Sequence, residues 1–190
     1  MLSQILRFLL DTAFGFLVFV LLARFYLQLL RAPFRNPLGQ FVTALTNWLV
    51  LPARRLIPGM FGLDLASFLL AWLVEALLLF LLYVIRGGSI GGASGLLVGV
   101  FFSLALLELA RFSLYLLIGV ILIQAVISWV NPYAPLAPLF NMLTAPFLRP
   151  FQRWIPPIGN VDLSPLFALL AAQLLLIPLE YLARSVALLL

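Results

Sequence analysis

The chain of 190 residues has no cysteine and no histidine, and all eleven of its basic residues are arginine. Without cysteine there is no disulfide, no thiolate nucleophile, no iron–sulfur cluster and no covalent haem. Without histidine the commonest general base, metal ligand and haem axial ligand are missing. Without lysine there is no Schiff base. The arginines keep their charge even when buried. Charge is scarce as well, at 9% of residues, while 65% are hydrophobic and the mean hydropathy is +1.22. A soluble domain is about a quarter charged, and a chain this short cannot hide such an apolar excess in its interior. The composition is that of an integral membrane protein. Its net charge of +5 fits topology and anionic lipid better than nucleic acid, so no nucleic-acid partner is expected. No cofactor is expected.

Four apolar segments approach or exceed the roughly 20 residues that cross a bilayer. They are Leu2 to Leu30, Leu65 to Ile85, Leu96 to Val130 and Leu163 to Leu179. The first is longer than the h-region of a cleavable leader and is expected to stay as a membrane helix. The pairs Arg7/Asp11 and Glu108/Arg111 stand at helical spacing and are expected to pair locally near the interface. Between the second and third segments lies a glycine-rich run, residues 87–95, without the Gly-Lys-Ser/Thr ending of a phosphate loop,. It reads as a linker. Gly91, Gly95, Gly99 and Ser103 put a small residue at every fourth position, a spacing that lets membrane helices pack closely.

The strongest pattern is an internal repeat at an offset of 98. Pro37-Leu38 matches Pro135-Leu136, and Leu45-Thr46 matches Leu143-Thr144. Pro52, Arg55, Ile57 and Pro58 match Pro150, Arg153, Ile155 and Pro156. Asp64-Leu65 matches Asp162-Leu163. Residues 1–86 form the first repeat and 96–190 the second, each with two crossings, so the chain returns to its starting side and both repeats point the same way. The connections are amphipathic. In the first, Leu38, Phe41, Val42 and Leu45 lie opposite Gln40, Thr43 and Asn47,. Helices here are expected to end at Pro52 and Pro150. The fold class read from this is an all-α membrane protein with four transmembrane helices in two parallel, same-orientation repeats. Each repeat carries an interfacial or re-entrant amphipathic helix.

The frame Asn36-Pro37-Leu38…Leu45-Thr46…Pro52…Arg54-Arg55…Pro58…Gly62…Asp64-Leu65 resembles the YggT (YlmG-like) family, as does its second copy from Leu143 to Pro165. The resemblance covers nearly the whole chain in a two-repeat form. It implies a multi-pass protein of the bacterial inner membrane, linked to envelope or osmotic-stress homeostasis, and supplies no catalytic site.

Two sets of polar residues are the candidate functional positions. Arg54, Arg55 and Asp64, with Arg149, Arg153 and Asp162, form matched interfacial motifs. Their arginines suit lipid phosphate or the aspartates, which themselves sit where a helix N-cap belongs. Within the membrane, Glu75 lies roughly 16 Å beyond Asp64 along a helix, near the midplane, where a carboxyl needs a partner. Arg24 is the partner expected for it, and Gln124 with Gln173 the uncharged equivalent in the second repeat. Arginine counts of six on the proline-rich side and four on the other put the connections in the cytoplasm and the termini in the periplasm. The function expected is a non-enzymatic scaffold or assembly factor, with a small ion or osmolyte channel as the alternative. The partners are anionic lipid headgroups, other integral membrane proteins, or further copies in a homo-oligomer.

Overall fold

The computed structural model describes residues 1–57, 64–88, 94–155 and 162–189. The described residues form six helices: α1 (Leu2–Leu29), α2 (Pro37–Leu56), α3 (Leu65–Ile85), α4 (Ser94–Val130), α5 (Ala137–Trp154) and α6 (Ser164–Ala187). Of these, α1, α3, α4 and α6 are long and apolar enough to cross a membrane. A helix satisfies its own backbone, which hydrocarbon requires.

The starts of α2 and α3 follow from side-chain caps. Asn36 caps α2, its side-chain oxygen accepting from the Gly39 N–H at 2.8 Å, with Pro37 in the first turn,. Asp64 caps α3 through the Ser67 N–H. At the far end of α3, Gly87 takes φ +87°, a left-handed turn that glycine adopts without penalty.

The connecting helices run on past the prolines expected to end them. α2 continues through Pro52, and α5 through Pro146 and Pro150. All three prolines are exposed, so the carbonyl each one frees can bond to water or headgroups rather than break the helix. α6 likewise passes Pro178 to reach Ala187, beyond the Leu179 end suggested by hydropathy.

Helix pairs are fixed at both ends. In α1 and α3, Arg7 donates to the Ile85 carbonyl at 3.5 Å and Arg24 meets Asp64 at the opposite end. Arg7 thus turns to the neighbouring helix rather than to Asp11, whereas Glu108 and Arg111 form their local pair at 2.7 Å. α3 lies against α4, where the Trp72 indole N–H donates to the Phe102 carbonyl at 2.8 Å. α4 packs on α6 and α5. One apolar cluster joins Val18, Leu21 and Leu22 of α1 to Val50, Ala71 and Leu109. A second joins α1 and α2 to Leu139 and Leu143 of α5.

The small-residue stripe does not pack inside the chain. Gly95, Gly99 and Ser103 are exposed, and a Cβ added to either glycine would meet nothing within 4 Å. Gly91 lies outside the described residues. Gly39 is constrained by backbone, since a Cβ there would stand 2.7 Å from the Phe34 carbonyl oxygen. Gly39→Ala is expected to cost about 1–3 kcal/mol, as overpacking against backbone does. Arg31, at φ 53°, is the opposite case: Arg31→Gly relieves a left-handed arginine and should stabilise by up to ~1 kcal/mol. Thermal unfolding of both variants in detergent would check the opposite signs.

Candidate functional site

Asp64 gathers three helices onto one carboxylate. It stands at the N-terminus of α3, with its side chain 1% exposed. Arg54 of α2 grips both oxygens, Nη2 donating to Oδ2 at 2.7 Å and Nε to Oδ1 at 3.3 Å. This bidentate fork is the strongest geometry available to the pair. Ser67 adds its hydroxyl at 2.6 Å and its backbone N–H at 3.3 Å. Arg24 of α1 brings its Nε to 3.3 Å from Oδ2, close enough for an ion pair. The Arg24 Nη1 then donates to Thr46 Oγ1 at 2.7 Å and Asn47 Oδ1 at 2.9 Å, both on α2. Burial alone would push the Asp64 carboxyl up. The Arg54 and Ser67 hydrogen bonds outweigh it and hold the group below the usual carboxylate range,.

Arg24 therefore does not pair with Glu75. Thr46, Asn47 and Asp64 are nearer the end of α1 that carries Arg24 and absorb its donors. Glu75 is buried in the middle of α3, with no hydrogen bond to its Oε2. The charges it feels are Glu108, Asp11 and Arg111. Arg111 is already engaged by Glu108 at 2.7 Å and lies 4.0 Å from Glu180. These residues border a cavity of about 690 Å³ lined also by Tyr83, Arg86 and Arg184.

The second half keeps the plan with less charge. Asp162 accepts from the Ser164 N–H at 2.8 Å and from Gln152 at 2.9 Å. Burial raises its carboxyl, and the bonds from Ser164 and Gln152 bring it below the usual range. Gln152 is the 98-offset counterpart of Arg54. The expected Gln124–Gln173 contact is not made. Gln124 is buried and donates to Asn141 at 3.3 Å, while Gln173 points outward from α6 and is exposed. Arg55, Arg149 and Arg153 are also exposed and have no hydrogen bond or ion pair among the described residues. Arg54 and Asp64, which share one sequence motif, bond to each other, while Asn47, Ser67, Gln152 and Asn141 join as partners that the repeat does not mark. Thr46 and Thr144 were visible as repeat matches, and Thr46 proves to receive Arg24.

This is a multi-helix membrane architecture held by buried polar junctions. The family model described as CCB3/YggT matches residues 3–85 and 103–183, and the chain belongs to that family. It is 42% identical over 171 residues to an uncharacterised protein of Pseudomonas aeruginosa, covering 88% of this chain and 84% of that one. It is 35% identical over 170 residues to an uncharacterised protein of Vibrio alginolyticus, covering 88% and 89%. It is 33% identical over 167 residues to the uncharacterised YggT of Escherichia coli K12, covering 87% and 84%. No solved structure is matched.

The two aspartates should differ in weight. Asp64→Ala strands two arginines, one of them buried, and is expected to cost about 3–5 kcal/mol. Asp162→Ala loses the hydrogen bonds from the Ser164 N–H and the Gln152 amide, about 1 kcal/mol. Because the Asp64 carboxyl is held low in the folded chain, its stabilisation is fully present above the unfolded value near pH ~4 and disappears as pH falls through the folded value. Unfolding of the wild type and both variants, compared at neutral pH and at about pH 3, measures both effects.

Proposed function

We propose that the chain is a non-enzymatic, multi-pass scaffold or assembly factor for other membrane proteins in the bacterial inner membrane. The observation that carries this reading is how the arginines of α2 and α5 divide. Arg54 is consumed by Asp64. Arg55, Arg149 and Arg153 stay exposed at the C-terminal parts of the same two helices. Guanidinium groups left free at a membrane surface suit anionic headgroups and acidic segments of partner proteins. On this reading α2 and α5 lie in the headgroup region of the cytoplasmic face, the repeats share one orientation, and the termini are periplasmic. The exposed Gly95, Gly99 and Ser103 would give a partner helix a close approach.

The buried polar groups support a structural role over a catalytic one. Those around Asp64 are committed to joining helices, and Glu75 has no His, Cys or Lys beside it,. The channel alternative draws less support. Fully buried Val18, Leu21, Leu22 and Ala71 lie between the Asp64 junction and Glu75, an apolar layer unsuited to ion passage.

A photo-crosslinking residue placed at Arg55 or Arg153 in the intact protein, irradiated in native membranes, should yield discrete adducts with other membrane proteins. Changing the remaining exposed arginines to Gln should lower adduct yield severalfold without changing the melting temperature. Adducts to lipid alone would overturn the scaffold reading.

A further inference from the structure

The two halves use corresponding helix faces in different ways. Within the chain, α3 of the first half rests on α4 of the second, with Trp72 bonded to Phe102 and the rings of Phe80 and Tyr83 against Phe101. Glu75 is buried in this region, within electrostatic range of Glu108, Asp11 and Arg111. The 98-residue offset carries that α3 face onto α6, taking Trp72 to Leu170, Glu75 to Gln173, Ala76 to Leu174 and Tyr83 to Tyr181. Ala76 is 6% exposed and its counterpart Leu174 is 57%. Leu170, Gln173 and Tyr181 are exposed too.

The facing surface shows the same reversal. Counted from the starts of the two stretches that match the family, residues 3 and 103, α4 runs against α1 at an offset of 100. Leu109, 1% exposed, corresponds to Leu9, which is 57% exposed. Arg111 corresponds to Asp11, which is exposed. Each chain thus contains one closed α3–α4 contact and the two open halves of another.

Exposed leucine on a membrane helix is ordinary, but Gln173 and Asp11 are not. Each lies nine residues into its helix, roughly 14 Å along the axis. Neither has a hydrogen bond or an ion pair among the described residues. A primary amide facing hydrocarbon seeks a partner on another helix.

We propose that α6 of one copy docks on α1 of a second copy, repeating between chains the contact that α3 makes with α4 within one. A second copy is the occupant because the chain itself supplies both unlike surfaces. The contact brings Gln173, a donor, toward the part of α1 that bears Asp11, an acceptor, as Glu75 stands toward Arg111. Since the two surfaces differ, the contact is head-to-tail and builds a ring or an open row rather than a two-fold dimer. It rests on the internal repeat and not on the exposed arginines, so it can fail while the scaffold reading stands.

The absence of cysteine makes the test clean. Leu9→Cys and Leu174→Cys are introduced singly and together in the full chain, and membranes are treated with a mild oxidant. The double variant should give a ladder of chain multiples, and neither single variant should crosslink. Adding Gln173→Leu to the double variant should lower the crosslinked fraction about tenfold, as loss of one intramembrane hydrogen bond would, and Gln173→Asn should retain it. A single variant that crosslinks to itself as well as the double does would overturn the proposal in favour of a symmetric contact. So would adducts only with another protein. With melting temperatures unchanged, absence of a ladder both for this pair and for Ile5→Cys with Leu170→Cys would also overturn it.

Discussion

A membrane helix bundle cannot rely on the hydrophobic effect to keep its helices together, because lipid tails are as apolar as leucine. Side-chain packing and the occasional polar contact have to do it. In this chain the decisive contact is the buried carboxylate of Asp64, which takes Arg54 from α2, Arg24 from α1 and the start of its own helix α3. Bringing these charges out of water is costly, and only the number of hydrogen bonds they make to one another and to Thr46 and Asn47 offsets that cost. Arg54 is 40% exposed along its side chain, so the extra positive charge of the trio reaches the surface. The geometry of α1, α2 and α3 follows from satisfying this one group.

The second half shows what happens when the same architecture is built with less charge. Gln152 stands in for Arg54, Asp162 still accepts from the backbone at the start of α6, and Gln124 with Asn141 makes an uncharged link between α4 and α5. The Gln124 Oε1 and the Ser164 Oγ are buried without partners, whereas every oxygen of Asp64 is used. Packing carries more of the burden here, through Ile121, Leu148 and Ala168. The result is a fold in which related helices meet in related ways but with different chemistry holding them.

Much of this was readable before any coordinates. Apolar runs placed the four long helices to within a few residues at most ends, and the repeat of Asp64-Leu65 in Asp162-Leu163 marked both helix starts. Hydropathy undershot α6 by eight residues because Glu180 and Arg184 lower the average while pairing with each other at 3.7 Å on the helix surface. The prolines misled because their helix-breaking rule assumes an interior position. The choice of Glu75 as partner for Arg24 failed for a different reason. Depth along two helices was counted, but the residues of α2 that intervene, Thr46 and Asn47, do not enter such a count. Gln173 exposes the limit of repeat reasoning: sequence correspondence preserves a position along a helix without preserving what covers it.

The unequal chemistry of the two halves also shows in what joins their helices. Stability in a folded chain is divided among cooperative units that separate at different free energies. Here α1, α2 and α3 meet at the buried Asp64 carboxylate, whereas among the described residues α4 and α6 share only the half-exposed Arg111–Glu180 pair at 4.0 Å and apolar packing. The Asp64 junction involves neither α5 nor α6, while α5 is tied to α1 and α2 through Leu139 and Leu143. The two halves thus hold related helices with unequal charge pairing, a difference produced by where the sequence spends its few charges.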